Sequence, residues 1–408
     1  MSNIFTKGAS LNMSGLIPAA TPSVAPLEAI SIPTHLDGRG GSNRATAGTP
    51  QISASTDIQA IKAWLARFAS SPNTFSSYRK EAERLLLWST VCAQKPVSSL
   101  THEDLLAYQH FLGNPQPAAQ WIMKSGRKVA RAHPDWRPFA GPLAPASVRL
   151  AVIVLNSMFS WLVIAGYLAG NPLSLSRQRG RRAPARISRY LDDQTWTEVK
   201  RTIEALPRTT EREREHYRRL RWLFSLLYVS GMRISEVAEN TMGGFFRRPG
   251  RGGEPRWWLD VMGKGGKPRI VPATAELMVE LSAYRVQKGL SPFPAPGEPT
   301  PLVLPVGQQK RFLTRAAIHV AVKSVFKATA ERIRAAGPEQ QWLAQRVEQA
   351  SAHWLRHTAG SHMANSQVDL RHIRDNLGHQ SLATTNTYLH SADDARHQET
   401  EAHHRIGW

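Results

Sequence analysis

The chain has 408 residues, with 52 Lys and Arg against 31 Asp and Glu and a formal net charge of +21 with His neutral. That length predicts two domains with tails, and 41% hydrophobic residues exclude a wholly disordered chain. The single cysteine, Cys92, excludes an intramolecular disulfide framework and a Cys-based zinc finger. No unbroken run of about 18 apolar residues predicts a membrane span, and residues 1–11 lack the basic-then-apolar pattern of a signal peptide. The expectation is a cytoplasmic protein without a membrane partner. So large a positive surplus points to a polyanion, because Lys and Arg that neutralise phosphates release condensed counterions.

Residues 1–54 are rich in Ser, Thr, Ala, Pro and Gly, carry few charges and show no hydrophobic period, and read as a disordered tail. Helical spacing begins at Asp57, with Ile58, Ile61, Trp64, Leu65 and Phe68 on one face. A second helix follows Ser71-Pro72-Asn73. A third runs from an N-cap at Thr101 to Leu112. Residues 113–143 read as irregular because prolines recur, and they carry the basic patch Lys124, Arg127, Lys128 and Arg131. A longer helix spans about 144–168 before Gly170-Asn171-Pro172. Residues 55–173 therefore read as an all-helical domain. Residues 174–189 form a basic linker, in which Arg177, Arg179, Arg181, Arg182 and Arg186 are candidates for holding the DNA backbone.

Residues 190–392 read as a second domain and 393–408 as a tail. Helices are expected at about 193–206 and 213–230, with Gly231 ending the second. Arg256 to Val261 alternates like a strand, Gly263 to Gly266 supplies a turn, and Arg269 to Pro272 forms a second strand. Helical patterns occupy most of the remainder. The fold class is mainly α with a small β-sheet.

Three separated segments concentrate polar chemistry: Ser230-Gly231-Met232-Arg233-Ile234-Ser235-Glu236, Gly263-Lys264-Gly265-Gly266-Lys267-Pro268-Arg269, and residues 353–388. The third holds His353-Trp354-Leu355-Arg356-His357, Leu377-Gly378-His379 and Tyr388. Breaking and rejoining DNA without metal or nucleotide needs a nucleophile that keeps the phosphate covalently attached, and Tyr can do this. A phosphoryl transition state needs planar, bidentate cations, which means Arg rather than Lys. The leaving 5′ oxygen needs a proton donor, and a Lys on a hairpin tip can reach it. Imidazoles can accept the phenolic proton or hydrogen-bond the non-bridging oxygens.

The ordered motifs resemble the tyrosine recombinase (phage integrase) family. Arg356 follows His353 by 3 residues, His379 follows Arg356 by 23, and Tyr388 follows His379 by 9, in agreement with the family pattern. The resemblance is strong over 190–392, and the helices of 57–172 look like the family's SAM-like core-binding domain. It implies Tyr388 as nucleophile, Arg233 and Arg356 as the phosphate clamp, Lys264 as general acid with Lys267 as rival, His353 as general base, His379 as a phosphate hydrogen-bonder, and Glu236 as a carboxylate that positions others. Lys267 and Arg269 are further DNA-contact candidates. The resemblance also implies recombination sites in double-stranded DNA as partner, a homotetramer on that DNA, accessory DNA-bending or directionality proteins, and no cofactor.

Simpler readings compete at several positions. Arg233 after a helix-ending Gly could be only a cation at a helix C-terminus. His357, His362 and His372 read as packing or surface residues. His390, His397, His403 and His404 lack ligand-spaced partners and read as a solvated tail rather than a metal site. Gly263 to Lys267 lacks the spacing of a phosphate-binding Walker loop. A type IB topoisomerase, a non-catalytic DNA-binding protein and a metal-dependent nuclease are the competing functions. A mobile-element integrase is preferred over Xer-like dimer resolution, because 1–54 and 113–143 depart from a minimal Xer-like chain.

Overall fold

A computed structural model describes residues 24–124, 129–175, 189–250, 252–263, 265–307, 309–379 and 381–385. It divides into two compact units, Met1–Arg181 and Arg182–Trp408.

Among the described residues the first unit holds five α-helices: α1 (Asp57–Ala66), α2 (Pro72–Val91), α3 (His102–Gly113), α4 (Ala118–Trp121) and α5 (Pro145–Ile164). Capping boxes start α1 and α3. Thr56 and Gln59 exchange hydrogen bonds in one, Thr101 and Asp104 in the other, so orphan N–H groups of the first turn are satisfied. Burial of Trp64, Leu85, Tyr108, Trp121, Phe139 and Phe159 makes the core, each side chain contributing about 1.5–3 kcal/mol. The Trp64 and Tyr78 rings stack at 5.4 Å, which fastens α1 to α2.

Helix α5 is long and apolar enough, by length and composition, to cross a membrane. It passes that test without the unbroken apolar run that the sequence lacks. Arg149, Asn156, Ser157 and Ser160 interrupt any unbroken apolar run but leave the average hydropathy high. In the fold α5 buries Ala151, Val154, Leu155, Met158, Phe159 and Leu162 against the other helices, as a core helix does.

The disordered tail expected over 1–54 is corrected, for residues 24–54. Leu27 and Leu36 are buried. The Asn43 N–H donates to Ser98 O at 2.8 Å, and the Asn43 side chain exchanges two hydrogen bonds with the Gly170 backbone. The Arg44 guanidinium lies 3.9 Å from the Tyr167 ring centroid. These anchors are single residues with long-range partners, so they leave no period in the sequence. Residues 1–23 lie outside the described residues.

Arg131 belongs to the same anchoring and not to a free basic patch. It donates to the buried Glu83 carboxylate and, at 2.6 Å, to Glu28 Oε2. Glu83 also accepts the Leu27 N–H at 2.6 Å. Lys124 is exposed, and Arg127 and Lys128 lie outside the described residues.

The second unit begins with α6 (Asp193–Glu204), α7 (Glu211–Ser230) and α8 (Ile234–Glu239). Strands β1 (Phe245–Pro249), β2 (Pro255–Met262) and β3 (Pro268–Pro272) then form an antiparallel sheet in the order 1-2-3. Six α-helices follow among the described residues: α9 (Ala275–Gln287), α10 (Arg315–Ala336), α11 (Gln341–Gln349), α12 (Ala352–Asn365), α13 (Leu370–Leu377) and α14 (Leu382–Thr385). Asp192 caps α6, accepting the Thr195 N–H at 2.7 Å. The core runs through Trp222, Leu227, Val261, Leu281, Phe326 and Leu355, and the buried Trp222 indole N–H donates to Leu302 O at 2.7 Å. Strand β1 was not anticipated. Its Arg247, Arg248 and Pro249 break the apolar pattern, yet Arg247 packs over the Trp257 ring at 4.5 Å.

Candidate active site

Helix α7 stops at Gly231, which adopts φ 59° and ψ 21°. A Cβ there would lie 2.4 Å from Leu377 Cδ2, so a side chain has neither the backbone angle nor the room. The turn makes Arg233 the first residue before α8 and not a cation on the α7 carbonyls. Its backbone N–H donates to Glu236 Oε2 at 2.8 Å and its Nη1 to Oε1 at 2.9 Å. The Arg233 side chain is 34% exposed, and its Nε and Nη2 make no hydrogen bond among the described residues.

Helix α12 carries His353, Arg356 and His357 within about one turn. Arg356 is buried; its Nη1 donates to Gly231 O at 2.5 Å and its Nη2 to Leu377 O. It therefore ties the end of α7 to the end of α13. The His353 and His357 rings meet edge to face, with centroids 4.4 Å apart at 79°. Gly378, at φ 60°, closes α13 and turns the chain to His379, whose Nδ1 lies 3.1 Å from Thr385 Oγ1.

The charges are close enough to act on one another. Partial burial, then Arg356, Arg233 and Arg189, hold His353 below the ordinary imidazole range. Burial and the neighbouring His353 and Arg356 push His357 down to about 4. Burial, Arg356, Arg233 and Arg269 push His379 to about 4. All three rings are thus neutral near pH 7, able to accept a proton or a hydrogen bond. Burial alone would raise the Glu236 carboxyl, but hydrogen bonds and charge from Arg269, then Arg233, keep it below the usual carboxylate range.

The β2–β3 hairpin turns through Gly265 and Gly266 at φ 75° and 72°, and the Gly263 N–H donates to Lys267 O at 2.9 Å. Lys267 is exposed at this tip, whereas Lys264 lies outside the described residues. Arg269 is corrected: it is no surface DNA contact. Its side chain is 11% exposed and forks onto Glu236, Nη1 to Oε1 at 2.9 Å and Nη2 to Oε2 at 2.8 Å. The sequence signal for this pairing is slight: a Glu236 that is buried needs more than one cation or donor to compensate it. His362 is a packing residue, as expected, between Tyr228 Oη at 2.9 Å and Leu191 O at 3.0 Å.

The described residues therefore assemble Arg233, Glu236, His353, Arg356 and His379 into one cationic cluster. Tyr388, and Arg177, Arg179, Arg181, Arg182 and Arg186 of the linker, lie outside the described residues. Two arginines and neutral imidazoles side by side suit a phosphodiester passing through a pentavalent state, in which negative charge spreads over the equatorial oxygens. Such a cluster on a mainly helical fold suits an enzyme that acts on a phosphodiester bond.

Residues 197–395 match the phage integrase family. Tyrosine recombinase XerC of Xanthomonas campestris pv. campestris is 25% identical over 378 residues, 92% of each chain. Tyrosine recombinase XerD of Vibrio cholerae is 26% identical over 332 residues, 81% of this chain and 90% of that one. Among solved structures, the XerH site-specific recombinase in its post-cleavage complex with a palindromic difH substrate superposes with a TM-score of 0.56 at 17% identity, over 93% of this chain and 99% of that one. The Tn1549 transposon integrase with a circular-intermediate DNA gives 0.52 at 16% identity, over 84% and 98%. These two share the fold. Residues 197–395 belong to the phage integrase family of tyrosine recombinases, and the protein is a site-specific DNA recombinase.

Proposed function

We propose that this recombinase cuts and rejoins each strand through a 3′-phosphotyrosyl bond at Tyr388, and that it integrates or excises a mobile element. The observation that carries the chemistry is the convergence of Arg233, of His353 and Arg356 on α12, and of His379, three separate segments of the sequence, onto one cluster. Arg233 and Arg356 neutralise the scissile phosphate. The Tyr388 phenolic oxygen attacks phosphorus, and its proton passes to the neutral His353 imidazole. His379 hydrogen-bonds a non-bridging oxygen. The bond from phosphorus to the 5′ oxygen breaks, and Lys264 gives that oxygen a proton. A 5′-hydroxyl from the partner strand then reverses the steps, so no bond energy is lost and no nucleotide is consumed. Lys267 and the linker arginines hold the flanking backbone, and four copies assemble on two sites with accessory DNA-bending or directionality proteins.

A nicked duplex that lets the cleaved end diffuse away tests the chemistry. In EDTA and without nucleotide, the wild-type chain is expected to accumulate a covalent adduct, and R233Q and R356Q to form little. Adduct formation that depends on added Mg²⁺ contradicts the reading.

Xer-like dimer resolution is the second reading. It is favoured by the Xanthomonas XerC, which aligns along 92% of this chain, so that length alone does not separate the two roles. Direct repeats flanking the gene, and a circular junction amplified from cells expressing the protein, are expected for a mobile element. A single chromosomal site without a circular product favours dimer resolution.

A further inference from the structure

We propose that Arg269 is a positioning residue for the phosphate clamp, acting through Glu236 to leave the outer edge of Arg233 open. The inference rests on the reading of Arg233 as a phosphate ligand. Three observations carry it.

First, Arg269 joins three elements. It sits in β3 opposite Val261 of β2, so it belongs to the β2–β3 hairpin. Its two Nη groups reach Glu236 in α8. Its Nε donates to Asn376 O at 3.1 Å, near the end of α13 and three residues before His379. Second, the contact is closely fitted. A Cβ on Gly378 would lie 2.8 Å from Arg269 Cδ, so glycine at that position lets the arginine stem pass.

Third, Glu236 is shared evenly. Oε1 accepts one Nη1 from Arg233 and one from Arg269. Oε2 accepts the Arg233 backbone N–H and Arg269 Nη2. The carboxylate side chain is 3% exposed, and a buried carboxylate demands compensation at both oxygens. With Arg269 present, the Arg233 side chain spends only Nη1 on it. Without Arg269, the nearest cation that can satisfy the vacated positions is Arg233, whose Nε or Nη2 would turn inward and leave the phosphate. Lys cannot replace the fork, because an ammonium is a point charge and cannot serve both oxygens and the Asn376 carbonyl in one plane.

The test uses the full-length chain and a nicked duplex carrying the recombination site. Two quantities are read for wild type, R269Q, R269K, E236Q, R269Q/E236Q and R233Q: the first-order rate of adduct formation at saturating protein, and DNA affinity as a function of salt. R269Q is expected to slow the adduct about 10- to 100-fold, the scale of a misplaced group in a preorganised site. Affinity and salt slope stay at wild-type values. In the E236Q background R269Q adds less than about twofold, because both changes remove the same link. R269K, which keeps the charge, is slowed at least about fivefold with an unshifted melting temperature. Should R269Q not fold, R269K carries the test alone, and a wild-type rate from folded R269K overturns the inference. So do multiplicative losses in the double variant. A uniformly weaker affinity with a salt slope shallower by about one also overturns it, since that is the signature of a direct phosphate contact. If R233Q cleaves like wild type, the clamp reading itself fails; if R233Q is inert while R269Q is normal, only the present inference fails.

Discussion

Gly231→Ala measures how tightly the end of α7 is built into the site. The residue adopts φ 59°, where an L side chain costs about 1–2 kcal/mol. The added Cβ would lie 2.4 Å from Leu377 Cδ2. Leu377 is fully buried and cannot swing into solvent, so overpacking adds about 1–3 kcal/mol. The expected total is about 2–5 kcal/mol. Gly289→Ala is the internal control: φ is 67°, but nothing lies within 4 Å of the new Cβ, so only the backbone part, about 1–2 kcal/mol, is expected. The readout is guanidinium unfolding followed by hydrogen–deuterium exchange of the 211–230 peptides. Because Arg356 Nη1 donates to Gly231 O at 2.5 Å, G231A should also slow adduct formation while G289A leaves it alone. Equal stability losses in the two variants would refute the packing argument.

Arg131→Ala should release the N-terminal segment. The Glu83 carboxylate, its side chain only 2% exposed, would keep the Leu27 N–H and lose its cation. Because Arg131 is partly solvated, the loss is about 1–3 kcal/mol, read as faster exchange over residues 24–37; unchanged exchange contradicts it. The three histidines set a pH dependence. Their folded-state values lie below the ordinary 6.5, to about 4 for His357 and His379. Between pH 6.5 and 4 the unfolded chain binds protons that the folded chain refuses, so stability falls as pH is lowered through that window. Denaturant midpoints in H357Q/H379Q should vary less with pH there, and an unaltered slope contradicts the shift. Lys264→Ala should slow adduct formation on an ordinary duplex yet react nearly normally when the 5′-bridging oxygen is sulfur, because a thiolate leaves without a proton. K267A should be near normal on both, and absence of rescue in K264A removes Lys264 as general acid.

Much of the fold is legible in the sequence where its causes are local. Thr101 and Asp104 announce α3 through a capping box, and Gly265-Gly266 marks the turn between β2 and β3. His353 and Arg356 fall on one helix face because they are three residues apart. Parts whose causes are distant are not legible. The 24–54 segment is held by partners such as Ser98, Tyr167 and Gly170, each far along the chain. Arg131 and Arg269 look like DNA contacts in a basic chain, because a cation's partner cannot be read from its own neighbourhood. Arg269 meets Glu236 from 33 residues away, and that distance turned a surface expectation into a buried fork. Strand β1 was hidden because Arg247 shields Trp257 by stacking and not by apolar alternation.

The most direct test of the central claim is the identity of the atom that holds the DNA. Wild-type protein trapped on a nicked recombination site, digested and analysed by mass spectrometry, should carry a nucleotide on the peptide containing Tyr388, and Tyr388→Phe should form no adduct while binding the same DNA with unchanged affinity. An adduct that persists in Y388F, or a nucleotide on another residue, would contradict the account.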